Sequence, residues 1–158
     1  MIMKLHHAAY RCKNSEQTRE FYEDFLGLPL AHAFEITETK TGRKTSVLHT
    51  FFKMQDGSYI AFFEAPDQHF EFIKQHDFDL HIALEVNEKF LNEMYLKGKS
   101  KNIETRGISN HGFISSIYFR DPNGYVVELT AKNPATTQNN DISKQNPYKI
   151  LEDWTRKN

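Results

Sequence analysis

The chain has 158 residues, 39% of them apolar and 26% charged, a balance that supports one compact domain with a buried core and argues against disorder. Twenty basic side chains against 21 acidic ones leave a net charge of −1, which removes any bulk electrostatic case for nucleic acid or an anionic membrane. No apolar run approaches the ~18 residues of a membrane span, no leader-type apolar stretch follows Lys4, and the one cysteine, Cys12, cannot close an internal disulfide, so a reducing cytoplasm is expected.

The first segment, Leu5 to Cys12, reads as a short strand. Asn14 or Ser15 can cap a helix, with Gln17 placed to reciprocate for Asn14. Phe21, Tyr22 and Phe25 follow at helical spacing, and Gly27 stands where a helix-ending glycine belongs. Leu30 to Glu38 and Thr45 to Met54 are strand-like, rich in β-branched and aromatic residues. Gln55-Asp56-Gly57 signals a turn, and Ser58 to Glu64 forms another strand. The series then repeats. Asp79 to Val86 is a strand, and Asn87 caps a helix to about Lys99 with Phe90, Leu91, Met94 and Tyr95 as its apolar face. Ile103 to Ile108 is a short strand, Phe113 to Arg120 a longer one, Asp121-Pro122-Asn123-Gly124 a tight turn, and Tyr125 to Ala131 the last strand. Beyond it the composition turns polar. Tyr148, Leu151 and Trp154 then mark a short amphipathic helix, expected to dock on the domain or on a partner subunit.

Each half therefore reads strand, helix, strand, strand, strand. The letters repeat as well: His7-Ala8-Ala9-Tyr10-Arg11-Cys12 lies over His81-Ile82-Ala83-Leu84-Glu85-Val86. The expected fold class is α+β, built from two βαβββ modules at about 5–66 and 79–132 within one domain over 1–132, followed by a polar linker and C-terminal helix over 133–158.

Strand alternation assigns faces. Leu80, Ile82, Leu84 and Val86 share an apolar face that should pack under a helix, leaving His81, Ala83 and Glu85 on the other. By the repeat, His7, Ala9 and Arg11 take the corresponding face, and His6 falls with the helix-packed set. Glu128 sits inside the run Tyr-Val-Val-Glu-Leu, where an unpaired carboxylate is costly to bury. A metal ion bound by His7, His81 and Glu128 would satisfy all three. With eight histidines and one cysteine, any ligands will be imidazole and carboxylate. Singly, His32, His69 and His76 read as surface residues. Phe51, Phe63 and Phe119 are candidates for an aromatic cleft wall.

At these residues the sequence resembles the vicinal oxygen chelate superfamily, which includes glyoxalase I, extradiol ring-cleaving dioxygenases, and fosfomycin- and bleomycin-resistance proteins. The resemblance spans about Leu5 to Ala131 and rests on His7-Ala-Ala-Tyr-Arg, Phe21-Tyr22-Glu-Asp-Phe-Leu26-Gly27-Leu28, His81-Ile-Ala-Leu-Glu-Val and Asp121-Pro122-Asn123-Gly124-Tyr125-Val-Val-Glu128-Leu. It implies paired modules around a metal-centred cleft, with His7, His81 and Glu128 as ligands, a small-molecule substrate and a homodimer. Glyoxalase-like members place a fourth Glu or Gln where the repeat puts Ala61, and alanine cannot ligate. Glu64 is out of phase with that corner and would need a bulge to reach it. Two histidines and one carboxylate form the facial set typical of non-haem Fe(II) oxygenases.

The spacing of His111, Ile117-Tyr118, Asp121-Pro122, Gly124 and Glu128 also resembles the extradiol dioxygenase signature, departing only at Ser109. The resemblance implies that His111 and Tyr118 act on substrate or oxygen beside the metal. The acid–base histidine of that family has no counterpart at Ser58, and His49, His69 or His76 would have to serve. The leading expectation is an Fe(II) extradiol-type dioxygenase on a small catechol-like substrate, with Mn²⁺, Ni²⁺ and Zn²⁺ as alternative metals. The alternatives are a glyoxalase I-like lyase or isomerase using Ni²⁺ or Zn²⁺ and glutathione-thiol chemistry, with Glu64 or water as fourth ligand, and a ligand-sequestering protein of the bleomycin-resistance type.

Overall fold

Backbone pairing in the computed structural model, which describes residues 1–133 and 145–157, separates eight strands into two four-stranded sheets. The polar connection over 134–144 lies outside the described residues. The first sheet holds β1 (His7–Arg11), β2 (Leu30–Glu38), β3 (Lys44–Lys53) and β4 (Tyr59–Glu64) in the order β1-β4-β3-β2. The second holds β5 (His81–Glu85), β6 (Thr105–Asn110), β7 (Ile114–Arg120) and β8 (Val126–Lys132) in the order β5-β8-β7-β6. The order is the same in both halves, so the fold is α+β with two βαβββ modules, as the repeat required.

β1 pairs with β4 in parallel, and the other pairs of the first sheet are antiparallel. A parallel pair needs a long crossover connection, which begins with α1 (Ser15–Arg19) and a π-helical continuation, Glu20–Phe25. The Asn14 side chain accepts the Gln17 N–H at 2.9 Å, and the Glu64 carboxylate accepts the Ser15 N–H at 2.6 Å. Two of the orphan donors of the first turn are thereby satisfied. Gly27, at φ +84°, ends the helix in the left-handed conformation that side chains resist. The helical face buries Phe21, Tyr22 and Phe25. Tyr22 packs on Phe62 of β4 and Phe52 of β3, with ring centroids 4.7 and 5.6 Å apart. Phe119 is also in this core, edge-on to Phe25 at 5.1 Å and only 2% exposed. Of the three rings offered as a cleft wall, Phe119 thus takes the core role instead: alternation sends it to the face opposite Tyr118.

α2 (Glu88–Ser100) starts at Asn87, whose side chain accepts the Phe90 N–H at 2.8 Å. It buries Leu91 and Met94, two of the four apolar positions expected. The Lys99 ammonium donates to the Thr105 carbonyl at 2.8 Å, joining the end of the helix to β6. α3 (Pro147–Lys157) forms where the amphipathic spacing placed it, but none of its described side chains is buried. Tyr148 and Trp154 are 82% and 66% exposed.

Compactness divides the chain into two units, Met1–Ile82 with Phe119–Val127, and Ala83–Tyr118 with Glu128–Asn158. Within the first unit the turn Asp121–Gly124 is tied down by one buried carboxylate. Asp121 accepts the Asn123 and Tyr125 N–H groups at 2.8 Å each, the Asn123 side-chain amide at 3.0 Å and the Tyr22 hydroxyl at 3.1 Å. Burial pushes its carboxyl above the ordinary aspartate range, and these donors pull the other way. Burial, followed by the charge of Asp121, holds the Tyr22 phenol well above its usual range. Gly124 sits at φ +101°, and a Cβ there would collide with the Ile73 carbonyl.

Two stability outcomes follow from this turn. Asp121→Ala leaves the Tyr22 hydroxyl and two backbone donors without their buried acceptor, and should cost about 3 kcal/mol in urea unfolding. Gly124→Ala adds left-handed strain to a backbone collision and should cost at least ~2 kcal/mol. A loss below ~0.5 kcal/mol in either variant would contradict the role assigned to the turn.

Candidate metal centre

The register of the first sheet fixes which side chains share a face. His7 lies opposite Tyr59, Ala9 opposite Ala61, and Arg11 opposite Phe63. Phe51 and His49 of β3 lie opposite Ala61 and Phe63. One face of the sheet therefore carries His7, His49, Phe51, Tyr59 and Phe63, while Tyr10, Phe52 and Phe62 face the helix. Ring contacts run across the first set. His7 is 5.5 Å from Phe51 and 6.4 Å from His49, and His49 stacks on Phe63 at 3.6 Å. The expected cleft wall of Phe51 and Phe63 is thus assembled on the face of His7.

His49 is 5% exposed. Its Nδ1 lies 2.9 Å from the Phe62 carbonyl, which can only accept, so Nδ1 carries the proton and Nε2 keeps a lone pair. Burial pulls the imidazole below its ordinary value of 6.5, the Phe62 hydrogen bond opposes this, and the nearby His7 lowers it further. Of the histidines offered for acid–base work, His49 alone shares the face of His7. The His76 Nδ1 accepts the Phe78 N–H in a turn at 3.1 Å, and His69 is exposed.

The expected ligands have distinct surroundings. His7 is exposed, with its Nδ1 2.8 Å from the Nδ1 of His6. One ring donates there, and with His7 as donor its Nε2 lone pair is available. His81 is exposed on β5, and its Nδ1 donates to the Asp77 carbonyl at 2.6 Å. That bond places the proton on Nδ1 and leaves Nε2 as the acceptor nitrogen, which is the outer-shell arrangement a metal-bound histidine takes. Glu128 on β8 is 8% exposed, between Val127 and Leu129 at 0% and 2%. Alternation puts His81 on the same face of β5 as Glu85, and Glu128 on the same face of β8 as Lys132. Glu85 and Lys132 pair across the sheet at 2.9 Å. Two imidazoles and a buried carboxylate have the donor chemistry of a divalent-metal site. Among the described residues, no group of three or more His, Cys, Asp or Glu side chains is gathered with metal-binding spacing.

Ala61 is fully buried between Ala9 and Phe51, so the fourth corner presents only methyl groups and rings. Glu64 is held by the Ser15 N–H on the helix side, as its phase required. His111 and Tyr118 come together: the His111 Nε2 and the Tyr118 hydroxyl are 3.1 Å apart. The Arg106 guanidinium lies 5.2 Å from the Tyr118 ring centroid, a cation–π contact the sequence did not single out.

One further residue departs from expectation. His6 does not join the helix-packed set, because β1 begins at His7 and alternation does not reach back to it. It is exposed beside His7 and Tyr59. His32 is exposed, as its reading as a surface residue expected, and a bulge sets its face. Leu30 faces Phe52 while His32 faces Phe51, so the register shift turns His32 onto the face of His7.

Paired βαβββ modules with histidines on the open faces of their sheets define a class of metal-binding fold. Residues 4–129 match the model of the Glyoxalase/Bleomycin resistance protein/Dioxygenase superfamily, and the chain belongs to that family. A metallothiol transferase, FosB, of Shouchella clausii is 27% identical over 139 residues, covering 82% of this chain and 80% of that protein. A biphenyl-2,3-diol 1,2-dioxygenase of Rhodococcus globerulus is 44% identical over 48 residues, covering 30% of this chain and 25% of the dioxygenase. Among solved structures, the fosfomycin resistance protein FosX of Listeria monocytogenes, in complex with Mn(II) and sulfate, superposes with a TM-score of 0.63 at 20% identity. The match covers 88% of this chain and all of that one, and the likeness is one of fold.

The depressed His49 has a consequence for stability. Because its folded value lies below the ordinary 6.5, the unfolded chain takes up the proton first. Its contribution is therefore present above 6.5 and lost as the pH falls from there through the folded value. Unfolding free energy should decline over that acid range, and His49→Phe, which keeps a ring on Phe63, should flatten the decline. An unchanged slope in the variant would show that His49 is not the group responsible.

Proposed function

We propose that this protein is a metal-dependent enzyme that opens the ring of a small catechol-like substrate beside its two oxygens, with Fe(II) held by His7, His81 and Glu128. The observation that carries this reading is the His111–Tyr118 hydrogen bond of 3.1 Å, because it joins the two residues that the ring-cleaving signature sets side by side. A metal held by two histidines and one carboxylate supplies open positions for both oxygens of a vicinal diol and redox chemistry toward dioxygen. Both atoms of dioxygen enter the product, so no external reductant is required.

The chain's own residues supply the proton chemistry. His49, kept neutral by burial, can take a proton at Nε2 from a substrate hydroxyl. His111 and Tyr118 can hold or return a proton along their hydrogen bond, and the Arg106 guanidinium lies over the Tyr118 ring. Phe51 and Phe63 give the face that carries His7 an apolar wall. Ala61 leaves this corner without a fourth protein ligand, which weighs against a glyoxalase-type centre. Mn²⁺, Ni²⁺ and Zn²⁺ suit the same donors. A cytoplasmic homodimer belongs to this reading.

A second reading rests on a different observation. The metallothiol transferase matches across most of both chains, whereas the dioxygenase matches over a quarter of its own length. In that reading His7, His81 and Glu128 would hold a metal that supplies Lewis-acid chemistry for transfer of a thiol to a small substrate.

Metal analysis of protein purified without added metal, followed by oxygen-electrode assays on catechols, separates the readings. Stoichiometric iron and one dioxygen consumed per catechol are expected. Manganese with thiol transfer would install the second reading, nickel or zinc with hemithioacetal turnover a glyoxalase, and no metal after reconstitution a sequestering protein. His81→Ala should abolish metal binding. Glu64→Ala should retain metal while losing about 1 kcal/mol of stability, because only the helix cap is removed. Tyr118→Phe should keep the metal and lower kcat by about 100-fold.

A further inference from the structure

The bulge that turns His32 inward also shapes a cleft of about 560 Å³ on the first sheet, within the range typical of small-molecule sites. Five rings line it: His6, His32, Phe34, Phe51 and Tyr59, together with two alanines of β2. Tyr59 stands between His6 and His32, with centroids 5.9 and 5.7 Å away. Phe51 meets Tyr59 edge-on at 5.9 Å, and Phe34 stacks over Phe51 at the same distance. No residue lining the cleft carries a permanent charge. Phe34 is 49% exposed on an edge strand, leaving ring surface open to a ligand. Phe51 borders both this cleft and His7, so the cleft opens beside the expected ligand.

We propose that this cleft is a subsite for a flat, uncharged aromatic group, the ring that a substrate carries beyond its vicinal oxygens. The inference rests on the reading above only in making His7 a metal ligand. Ring faces and edges offer offset and T-shaped contacts to an inserted ring. The imidazole and phenol edges of His6, His32 and Tyr59 offer hydrogen bonds to a ring substituent. A phosphonate or other anion finds no fixed cation here. The redirected His32 closes the side that strict alternation would have left open.

The test uses 2-naphthol, whose single hydroxyl cannot chelate through vicinal oxygens, titrated calorimetrically into the full-length protein. Saturable binding is expected. Phe34→Ala and His32→Ala should each weaken it about tenfold, and His32→Phe should recover most of the loss. Both residues are exposed, so the substitutions leave the core intact. Phe34→Ala should also raise KM for an aryl-substituted catechol while leaving unsubstituted catechol unchanged. Absence of saturable binding, or unaltered affinity in both alanine variants, would overturn the proposal. So would a shift of the variants from dimer to monomer with naphthol affinity unchanged, since the face would then belong to a second copy. Naphthol binding that depends on Phe34 in a protein that consumes no oxygen would support the subsite and reject the dioxygenase.

Discussion

The Asp121 carboxylate is the contact on which much of the geometry depends. A tight turn joins β7 to β8, and small changes in its conformation would shift the strands by one residue. Such a slip would carry every side chain to the opposite face. Asp121 prevents this by accepting from two backbone N–H groups of the turn and from Tyr22 on the helix. The turn is tied as well to the end of β1. The Lys13 N–H donates to the Asn123 side chain, and the Tyr125 hydroxyl donates to the Arg11 carbonyl, both at 2.8 Å. The phase of Tyr118 before the turn and of Glu128 after it follows from that one arrangement.

Face segregation does the rest. In the first sheet the helix side collects the large apolar rings that make the core, and the other side collects imidazoles and partly exposed rings. The two sides impose different chemistry on similar residues. His49, buried and bonded to a backbone carbonyl, is held neutral, whereas His7 remains exposed. Glu64 ends up on the helix side, where the first turn of α1 has a use for its charge.

Family membership and geometry constrain function differently. The family includes oxygenases, lyases and resistance proteins, so membership leaves the reaction open. Residues that differ among such chemistries carry more weight. Ala61 offers no ligating atom, and the His111 imidazole is hydrogen-bonded to the Tyr118 hydroxyl. The faces of β2, β3 and β4 that carry His7 are lined by rings and hold no permanent charge around the cleft.

Much of this was legible before any coordinates. The repeat, the helix caps at Asn14 and Asn87, the turn at Asp121–Gly124 and the phase of Glu64 are local, and each follows from a few neighbouring residues. The signature from His111 to Glu128 singled out His111 and Tyr118 by resemblance, whereas their direct hydrogen bond is a result of the fold. Tertiary structure alone decided which of Phe51, Phe63 and Phe119 shares a face with His7, which of His49, His69 and His76 does so, and the face taken by His32. These depend on register between strands far apart in the chain, and a bulge reverses alternation without a local sequence mark. Side-chain type and period determine what a strand can present; pairing across the sheet determines to what it is presented.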